Sequence, residues 1–288
     1  LLDLMQKNSI NRAKIDWNDL RARVYILAAG AKSVEDLYPA IGVALTQLAD
    51  RHTIYFPKTG NPIARGGCAT VAVSTLPIST PEVPSTVGYI RVTGFSGTAT
   101  EAVAFSDRIL ETIKTADSRG VTSWLVDLRQ NSGGNMWPML AGLSPILGEG
   151  PLGYFINPLG EKVEWGIRDG VVYTGGPTYD PNQATYRLQN KALRIAVLTD
   201  ALTSSSGEAV TIAFRGLPHA RSFGTQTCGL STSNRSYPLS DGGLLALTVS
   251  VMADRTAKPY GGPVVPDEVI DDPAKMVERA LAWLATGK

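Results

Sequence analysis

The sequence alternates apolar stretches of strand length with amphipathic stretches of helix length, and this order restricts the fold more than any other feature. Apolar segments lie at 121–128 (VTSWLVDL) and 193–200 (LRIAVLTD). Amphipathic segments lie at 98–120, 135–147 and 207–214. Nearly continuous apolar strands are typical of strands covered on both faces. Strands that alternate with helices predict an α/β fold with a mixed, largely parallel sheet.

The composition is that of an ordinary globular protein, and it argues against several function classes. The chain has 288 residues, of which 43% are hydrophobic and 18% charged, with a net charge of +1. So small a charge gives no reason to expect nucleic acid as a partner. No apolar run is long enough to span a membrane. Cys68 and Cys228, with two histidines, are too few for a structural zinc site, so we expect no metal. Whether the cysteines pair stays open.

The first fifty residues have a different pattern from the rest of the chain. Segments 16–31 and 33–50 carry apolar residues at helical spacing, and the second begins with Ser33, a favourable N-cap residue. We therefore predict a small N-terminal helical bundle over residues 1–56. This bundle contains His52.

A segment rich in Pro, Gly, Ser and Thr follows at 57–87. It predicts a loop-rich connection with one short strand near 70–75. The remaining residues, 88–288, then form the α/β core. Near the end of this core, 264–270 (VVPDEVI) predicts a strand and 274–285 an amphipathic helix.

Three serines follow directly after the apolar segment 193–200, in the sequence TSSSGE at 203–208. Serine is a preferred N-cap residue, so these serines are explained if they only cap the next helix. A serine at a strand-to-helix turn also has a chemical advantage. The free N–H groups and the dipole of the helix N-terminus stabilise negative charge on a bound oxyanion. The pattern alone leaves both interpretations open.

A second turn, DLRQNSGGN at 127–135, follows the apolar segment 121–128. Its two glycines allow backbone N–H groups to approach a ligand closely, although Asn-Ser-Gly-Gly is also ordinary turn chemistry. A nucleophilic serine needs a base. The histidines are His52, which lies before the short Ile-Tyr-Phe segment at 54–56, and His219, in a Pro-containing loop.

Together these stretches resemble the tail-specific, or carboxyl-terminal processing, serine peptidase family. The Asp-Leu-Arg-x-Asn-x-Gly-Gly turn of that family is matched at 127–134, and its nucleophile turn at 203–208. Segment 264–270 is similar to the terminal Pro-Asp signature. The likeness extends over residues 15–285, and four motifs in the same order make it specific.

One position departs from the pattern of many members, which carry a lysine base in a Thr-x-Gly-Lys segment. Here the segment is Thr227-Cys228-Gly229-Leu230. A second branch of the family uses histidine, and 50–56 (DRHTIYF) matches its motif. Within that branch the chain resembles the nisin resistance proteins, which are extracytoplasmic peptidases. Like them, it has no room for a PDZ domain between His52 and Gly88.

This resemblance implies a crotonase-like (Clp protease-like) core and a peptide or protein C-terminus as substrate, without a cofactor. It makes Ser205 the nucleophile and His52 the general base. His52 would take the proton from Ser205 during attack and give it to the leaving amine. Activity would then fall at acidic pH as His52 becomes protonated, with a midpoint of about 6 to 7 for an ordinary histidine. The oxyanion would be bound by the backbone N–H groups of Gly133, Gly134 and Ser206.

The motifs identify the remaining site residues less clearly. The acid that would orient His52 is Asp50 or Asp254, and a plain dyad is a further alternative. Glu208 is expected to stabilise the first turn of its helix. The residues expected to line the substrate cleft are Trp137, Met136 and Thr203.

Two other functions stay open from the sequence. A non-catalytic binding protein on the same scaffold would hold a peptide or a small ligand, and the missing lysine and acid favour it. An acyl-CoA enzyme with a crotonase-like fold would bind CoA and would gain little from a Ser-His pair. The presence of Ser205, His52 and the two glycines together favours the peptidase.

Overall fold

The computed structural model describes residues 1–68, 78–179, 186–190 and 194–287. The helices are α1 (Leu2–Asn8), α2 (Trp17–Ala28), α3 (Tyr38–Gln47), α4 (Ala99–Ser118), α5 (Met136–Leu147), α6 (Ser206–Ala213) and α7 (Pro273–Thr286). The first strands are β1 (Ile54–Phe56), β2 (Ile63–Ala64), β3 (Val87–Arg91), β4 (Ser123–Asp127), β5 (Gly150–Ile156) and β6 (Lys162–Arg168). The later strands are β7 (Val171–Thr174), β8 (Gly176–Tyr179), β9 (Arg194–Thr199), β10 (Ala220–Gly224), β11 (Thr232–Pro238), β12 (Leu244–Asp254) and β13 (Glu268–Val269). Among the described helices, none combines the length and apolar character that a membrane span requires.

The chain divides into two compact units. The first consists of Leu1–Ala69, Ile156–Glu161 and Thr232–Val251. It contains α1 to α3 and antiparallel strands, in which β12 pairs with both β1 and β11, and β2 pairs with β1. The predicted N-terminal helices are therefore present, but strands from much later in the sequence belong to the same unit. The predicted strand near 70–75 lies outside the described residues.

The core of the first unit forms where the helices cover these strands. Leu20, Leu45 and Leu48 of the helical part are fully buried. They belong to one apolar cluster with Tyr55 of β1 and Leu245 of β12. This packing gives the short strand β1, and His52 just before it, a fixed support.

The second unit consists of Thr70–Phe155, Lys162–Ser231 and Met252–Lys288. Its centre is a five-stranded sheet in the order β13-β10-β9-β4-β3, in which all neighbours run parallel. Alternate residues of β4 enter different cores: Trp124 and Val126 pack with α4, α5 and α6. Leu125 packs with α7 on the other face. Burial on both faces explains the continuous apolar runs, and the predicted mixed α/β class is confirmed.

Helix boundaries in this unit follow from capping residues. Thr98 caps α4 through a capping box with Glu101, and Asn135 caps α5 by accepting from the Trp137 N–H. In the first unit, Ser33 does not start the α-helix directly. A 3₁₀ turn over Glu35–Leu37 comes first, and α3 begins at Tyr38 with a proline in its first turn.

Candidate active site

The turns that follow β4 and β9 lie at the same edge of the parallel sheet. These strands are neighbours, with Asp127 opposite Leu198, so their carboxyl ends coincide. The turn after β9 ends at Ser205, and α6 starts at the next residue. Ligand sites in open parallel sheets form at such carboxyl edges.

Ser205 differs from its neighbours in exposure. Thr203, Ser204, Ser206 and Glu208 are buried, with 0%, 5%, 6% and 0% of their surface exposed, whereas Ser205 is partly exposed. Of the three adjacent serines, Ser205 is thus the one whose side chain is open to a ligand.

The backbone of Ser205 is also unusual. Its φ is 52° and its ψ is −114°, a combination that side-chain-bearing residues rarely adopt. Such a conformation costs about 1–3 kcal/mol and persists only where surrounding contacts enforce it. Here the Ser205 N–H donates to Glu208 Oε2 at 2.8 Å. A serine that only capped α6 would have no need of this strain.

Asp200 and Asn131 join the two turns. Asp200 Oδ1 accepts from the N–H groups of Gln130 at 3.0 Å and Thr203 at 2.9 Å. The carbonyl of Asn131, a fully buried residue, accepts from the Ser204 N–H at 2.9 Å. The turn at 203–205 is therefore held by the turn that carries the two glycines.

The glycine turn is bonded to Ser206, the residue directly after Ser205. The Gly133 N–H donates to Asn131 Oδ1 at 3.0 Å, and Ser206 Oγ donates to the Gly134 carbonyl at 2.5 Å. Of the three predicted oxyanion donors, Gly133 is therefore engaged within its own turn. The N–H groups of Gly134 and Ser206 are the better candidates for binding a negative oxygen.

Gly133 cannot carry a side chain without displacing Ser205 or the backbone beside it. Its φ is +90°, and a Cβ there would lie 2.8 Å from Ser205 Cβ and 3.0 Å from Ser206 N. We expect Gly133→Ala to lower kcat/KM for peptide cleavage by about 100-fold or more, because displacement of one oxyanion donor alone has such an effect. Activity and the melting temperature Tm of the purified variant check this.

Gly120 provides a matched control for this prediction. Its φ is +76°, so alanine suffers similar backbone strain, but a Cβ there meets nothing within 4 Å. Gly120→Ala should lower stability by about 1–2 kcal/mol and leave kcat/KM unchanged. Equal loss of activity in both variants would mean that backbone strain, and not contact with Ser205, is responsible.

Glu208 connects the backbone of Ser205 to the segment at 227–230. Besides the Ser205 N–H, its carboxylate accepts from Thr227 Oγ1 at 2.5 Å and from the N–H groups of Gly229 and Leu230 at 2.8 and 2.7 Å. Burial raises the pKa of Glu208, and these hydrogen bonds oppose the shift. The acid thus does more than stabilise a helix turn, since it fixes the segment that carries a lysine in related proteins.

His52 belongs to the first unit and lies just before β1. Its backbone N–H donates to Asp50 Oδ1 at 3.0 Å, and its carbonyl accepts from Asn234 Nδ2 at 2.8 Å. The ring Nδ1 lies 2.7 Å from Thr232 Oγ1. Burial lowers the pKa of His52 to about 4, and the negative charge of Asp50 partly opposes this. A low pKa keeps the ring neutral, as a general base requires.

The two acids predicted as orienting partners have other bonds. Asp50 accepts from the backbone of His52 and Thr53, and from Thr248 Oγ1 at 3.1 Å. Asp254, in the second unit, accepts from Thr256 Oγ1 at 2.6 Å and from the Tyr260 hydroxyl at 2.9 Å. Asp50 acts on the backbone of His52, while Asp254 organises the loop that follows β12.

His219 lies at the other end of the parallel sheet from Ser205. Its carbonyl accepts from the N–H of Ile195, near the start of β9, whereas Ser205 follows the end of that strand. Burial and the positive charge of Arg255 lower the pKa of His219. The length of β9 thus separates His219 from the turn that carries Ser205, and this argues against His219 as a base.

The predicted cleft residues are unequally exposed. Trp137 is half-buried and packs edge-to-face on Phe155, with ring centroids 6.4 Å apart. Met136 is 6% exposed and Thr203 is fully buried, with its hydroxyl donating to the Leu128 carbonyl at 2.9 Å. Trp137 thus offers surface to a ligand. Thr203 is buried, and its hydrogen bond fixes the turn that carries Ser205.

Two features of the site were not singled out from the sequence. Asp200 and Asn131 hold the turns together, and each is a turn residue whose short polar side chain follows an apolar strand, which is the signal that would have found them. The sequence also left the cysteines open. Cys68 and Cys228 are both disulfide-bonded, so neither is a free thiol.

Ser205, strained and partly exposed, lies at a strand-to-helix turn next to a Gly-Gly turn on an α/β core. Serine hydrolases of the α/β class carry a nucleophilic serine at such a turn. The chain belongs to peptidase family S41, whose family model matches residues 86–270. It is therefore a serine peptidase by family, and the suspected relationship is confirmed.

Two curated proteins illustrate the relationship. The nisin-resistance protein of Lactococcus lactis subsp. lactis is 26% identical over 280 residues, which is 93% of this chain and 80% of that protein. The chloroplastic carboxyl-terminal-processing peptidase 2 of Arabidopsis thaliana is 29% identical over 57% of this chain but only 28% of its own length.

Solved structures confirm the predicted crotonase-like fold. A lipoprotein from Streptococcus agalactiae superposes with a TM-score of 0.79 at 22% identity, over 100% of this chain and 94% of that one. The photosystem II D1 C-terminal processing protease superposes with a TM-score of 0.61 at 16% identity, over 99% of this chain and 95% of that one.

Proposed function

We propose that this peptidase cleaves peptide bonds by a Ser-His mechanism, with Ser205 as nucleophile and His52 as general base. The observation that carries the proposal is the state of Ser205, which is strained at φ 52° and is the partly exposed serine of its turn. Glu208 accepts from the Ser205 N–H, and the Asn131 carbonyl accepts from the N–H of the preceding Ser204, so both hold that conformation. Strain maintained by so many contacts is typical of functional residues.

In the proposed reaction, Ser205 Oγ attacks the peptide carbonyl carbon while His52 Nε2 takes the hydroxyl proton. The carbonyl oxygen becomes an oxyanion that the N–H groups of Gly134 and Ser206 stabilise. His52 then gives the proton to the leaving amine, which departs and leaves an acyl-enzyme. Water, activated by the same histidine, hydrolyses the ester and restores Ser205.

The substrate we propose is a peptide or protein segment near a free C-terminus. Support comes from the carboxyl-terminal processing activity in the names of two relatives. The names of the nisin-resistance protein and the streptococcal lipoprotein support an extracytoplasmic location. The disulfide-bonded state of both cysteines agrees with an oxidising compartment.

A peptide mixture tests this function directly. Synthetic peptides of varied sequence with free C-termini, and the same peptides with amidated C-termini, are incubated with the wild type, and products are identified by mass spectrometry. We expect cuts near the free C-terminus that are lost or slowed in the amidated set. Equal cleavage of both sets would contradict carboxyl-terminal processing, and no cleavage of either would favour a binding protein.

The pH dependence should report the base. Because His52 accepts a proton in catalysis, kcat/KM falls as the ring becomes protonated in the free enzyme. Its lowered pKa of about 4 predicts activity that persists well below neutral pH and falls through that value. The profile is measured with circular dichroism at each pH to exclude unfolding. A midpoint of about 6.5, the ordinary histidine value, would contradict the buried environment described for His52.

A further inference from the structure

The partner of the His52 ring comes from β11, a strand far away in the sequence. Thr232 begins this strand, and Asn234 follows two positions later. Residues two apart on a strand point to the same face. Both side chains accordingly contact His52: Thr232 Oγ1 lies 2.7 Å from the ring Nδ1, and Asn234 Nδ2 donates to the carbonyl at 2.8 Å.

Pairing with β12 holds these two residues in place. Thr232 is opposite Val251, and Asn234 is opposite Thr248 after an irregularity in the register. Thr248 Oγ1 lies 3.0 Å from Asn234 Oδ1, and the Thr248 backbone N–H donates to Thr53 Oγ1 at 3.1 Å. His52 therefore lies in a polar network with fixed geometry, which belongs entirely to the first unit.

A histidine that acts as base through Nε2 must carry its proton on Nδ1. The group that contacts Nδ1 decides which nitrogen is protonated, and in many Ser-His enzymes this group is a carboxylate. The carboxylate whose charge acts on His52, that of Asp50, instead accepts from the backbone N–H groups of His52 and Thr53.

We propose that Thr232 is the positioning residue of the base: its hydroxyl oxygen accepts the Nδ1–H of His52 and leaves Nε2 unprotonated. The proposal rests on the proposed function, in which His52 takes the proton from Ser205. It replaces the predicted orienting acid with a neutral hydroxyl group.

A hydroxyl group suits both protonation states of the ring. Threonine oxygen can accept a hydrogen bond from neutral imidazole and equally from imidazolium, in which both ring nitrogens are donors. Being neutral, it stabilises the charged ring less than a carboxylate does. The charged member of the network is Asp50, and the partners from β11 and β12, which are Thr232, Asn234 and Thr248, are uncharged.

The tautomer can be observed without any substrate. Because the chain has two histidines, ¹⁵N-histidine labelling gives two ring systems in long-range ¹H–¹⁵N correlation spectra, and His219→Gln assigns them. We expect His52 in the wild type and in Thr232→Ser to be neutral with its proton on Nδ1. In Thr232→Val the proton should move partly or wholly to Nε2. A wild-type proton on Nε2, or an unchanged tautomer in Thr232→Val, would overturn the proposal.

Kinetics provide the second readout. We expect Thr232→Val to lower kcat/KM about 10- to 100-fold, mainly through kcat, and Thr232→Ser to keep it within about 3-fold. Thr232→Asp should move the acidic limb of the pH profile upward, because a carboxylate favours the protonated ring.

These two readouts separate the proposal from the function on which it rests. If Ser205 is not the nucleophile, Ser205→Ala keeps its peptidase activity, while the tautomer result for His52 still stands. If Thr232→Val fails to fold, the wild-type spectrum and Thr232→Ser still decide whether the Nδ1 proton points at a hydroxyl group. An inactive Thr232→Ser with a normal melting curve would count against the proposal.

Discussion

Replacing Ser205 by alanine is expected to lower kcat/KM for peptide cleavage by about 10⁴- to 10⁶-fold. The change removes the attacking oxygen but keeps the Ser205 backbone N–H that donates to Glu208. The free energy of unfolding should therefore change by no more than about 1 kcal/mol. Cleavage of the free-C-terminus peptides, with Tm measured on the same samples, checks both expectations.

Ser204→Ala is the matched control in the same turn. Ser204 is 5% exposed, and its backbone N–H, which alanine retains, donates to Asn131. This variant should lose far less activity than Ser205→Ala. If Ser204→Ala were the inactive variant and Ser205→Ala active, the nucleophile would have been assigned to the wrong serine.

Replacing each of the two histidines by alanine should affect activity unequally. We expect His52→Ala to lower kcat/KM by about 10⁴-fold, because a serine without a base is a weak nucleophile. His219→Ala should change it by no more than about 2-fold, as for a substitution away from the site. His219 contacts the start of β9 and Ser205 follows its end.

This comparison is made by measuring kcat/KM of both variants at neutral pH, with Tm as a check on folding. Loss of activity in His219→Ala with retention in His52→Ala would reverse the assignment of the base. Loss in neither variant would exclude histidine as the base in this chain.

Much of the fold was accessible from sequence because its signals are local. The apolar runs of β4 and β9 indicated strands buried on both faces, and Leu125 and Val126 do enter opposite cores. The predicted strand at 264–270 is reduced to Glu268–Val269, since Pro266 in that segment cannot donate to a ladder. The strands β5 to β8 were not predicted, because glycine or proline interrupts β5, β6 and β8, and β7 has only four residues.

The site residues likewise divide into those that local motifs predict and those that depend on contacts distant in the sequence. Ser205 and Gly133 were recognised because each lies in a short turn motif directly after a strand. Thr232 was not, because its relation to His52 depends on the pairing of β11 and β12 and joins residues 180 positions apart. Neither acid predicted as an orienting group, Asp50 or Asp254, has a hydrogen bond to the ring among those described; sequence proximity to a motif is weak evidence for such a contact.

The central claim is that Ser205 is an activated nucleophile, and a fluorophosphonate probe tests it most directly. Wild type and Ser205→Ala are treated in parallel, and the intact masses are compared, followed by peptide mapping of any adduct. The account predicts one phosphonyl group on the wild type, mapped to Ser205, and none on the variant. An adduct on Ser205→Ala, or no adduct on a folded wild type that cleaves peptides, would contradict it.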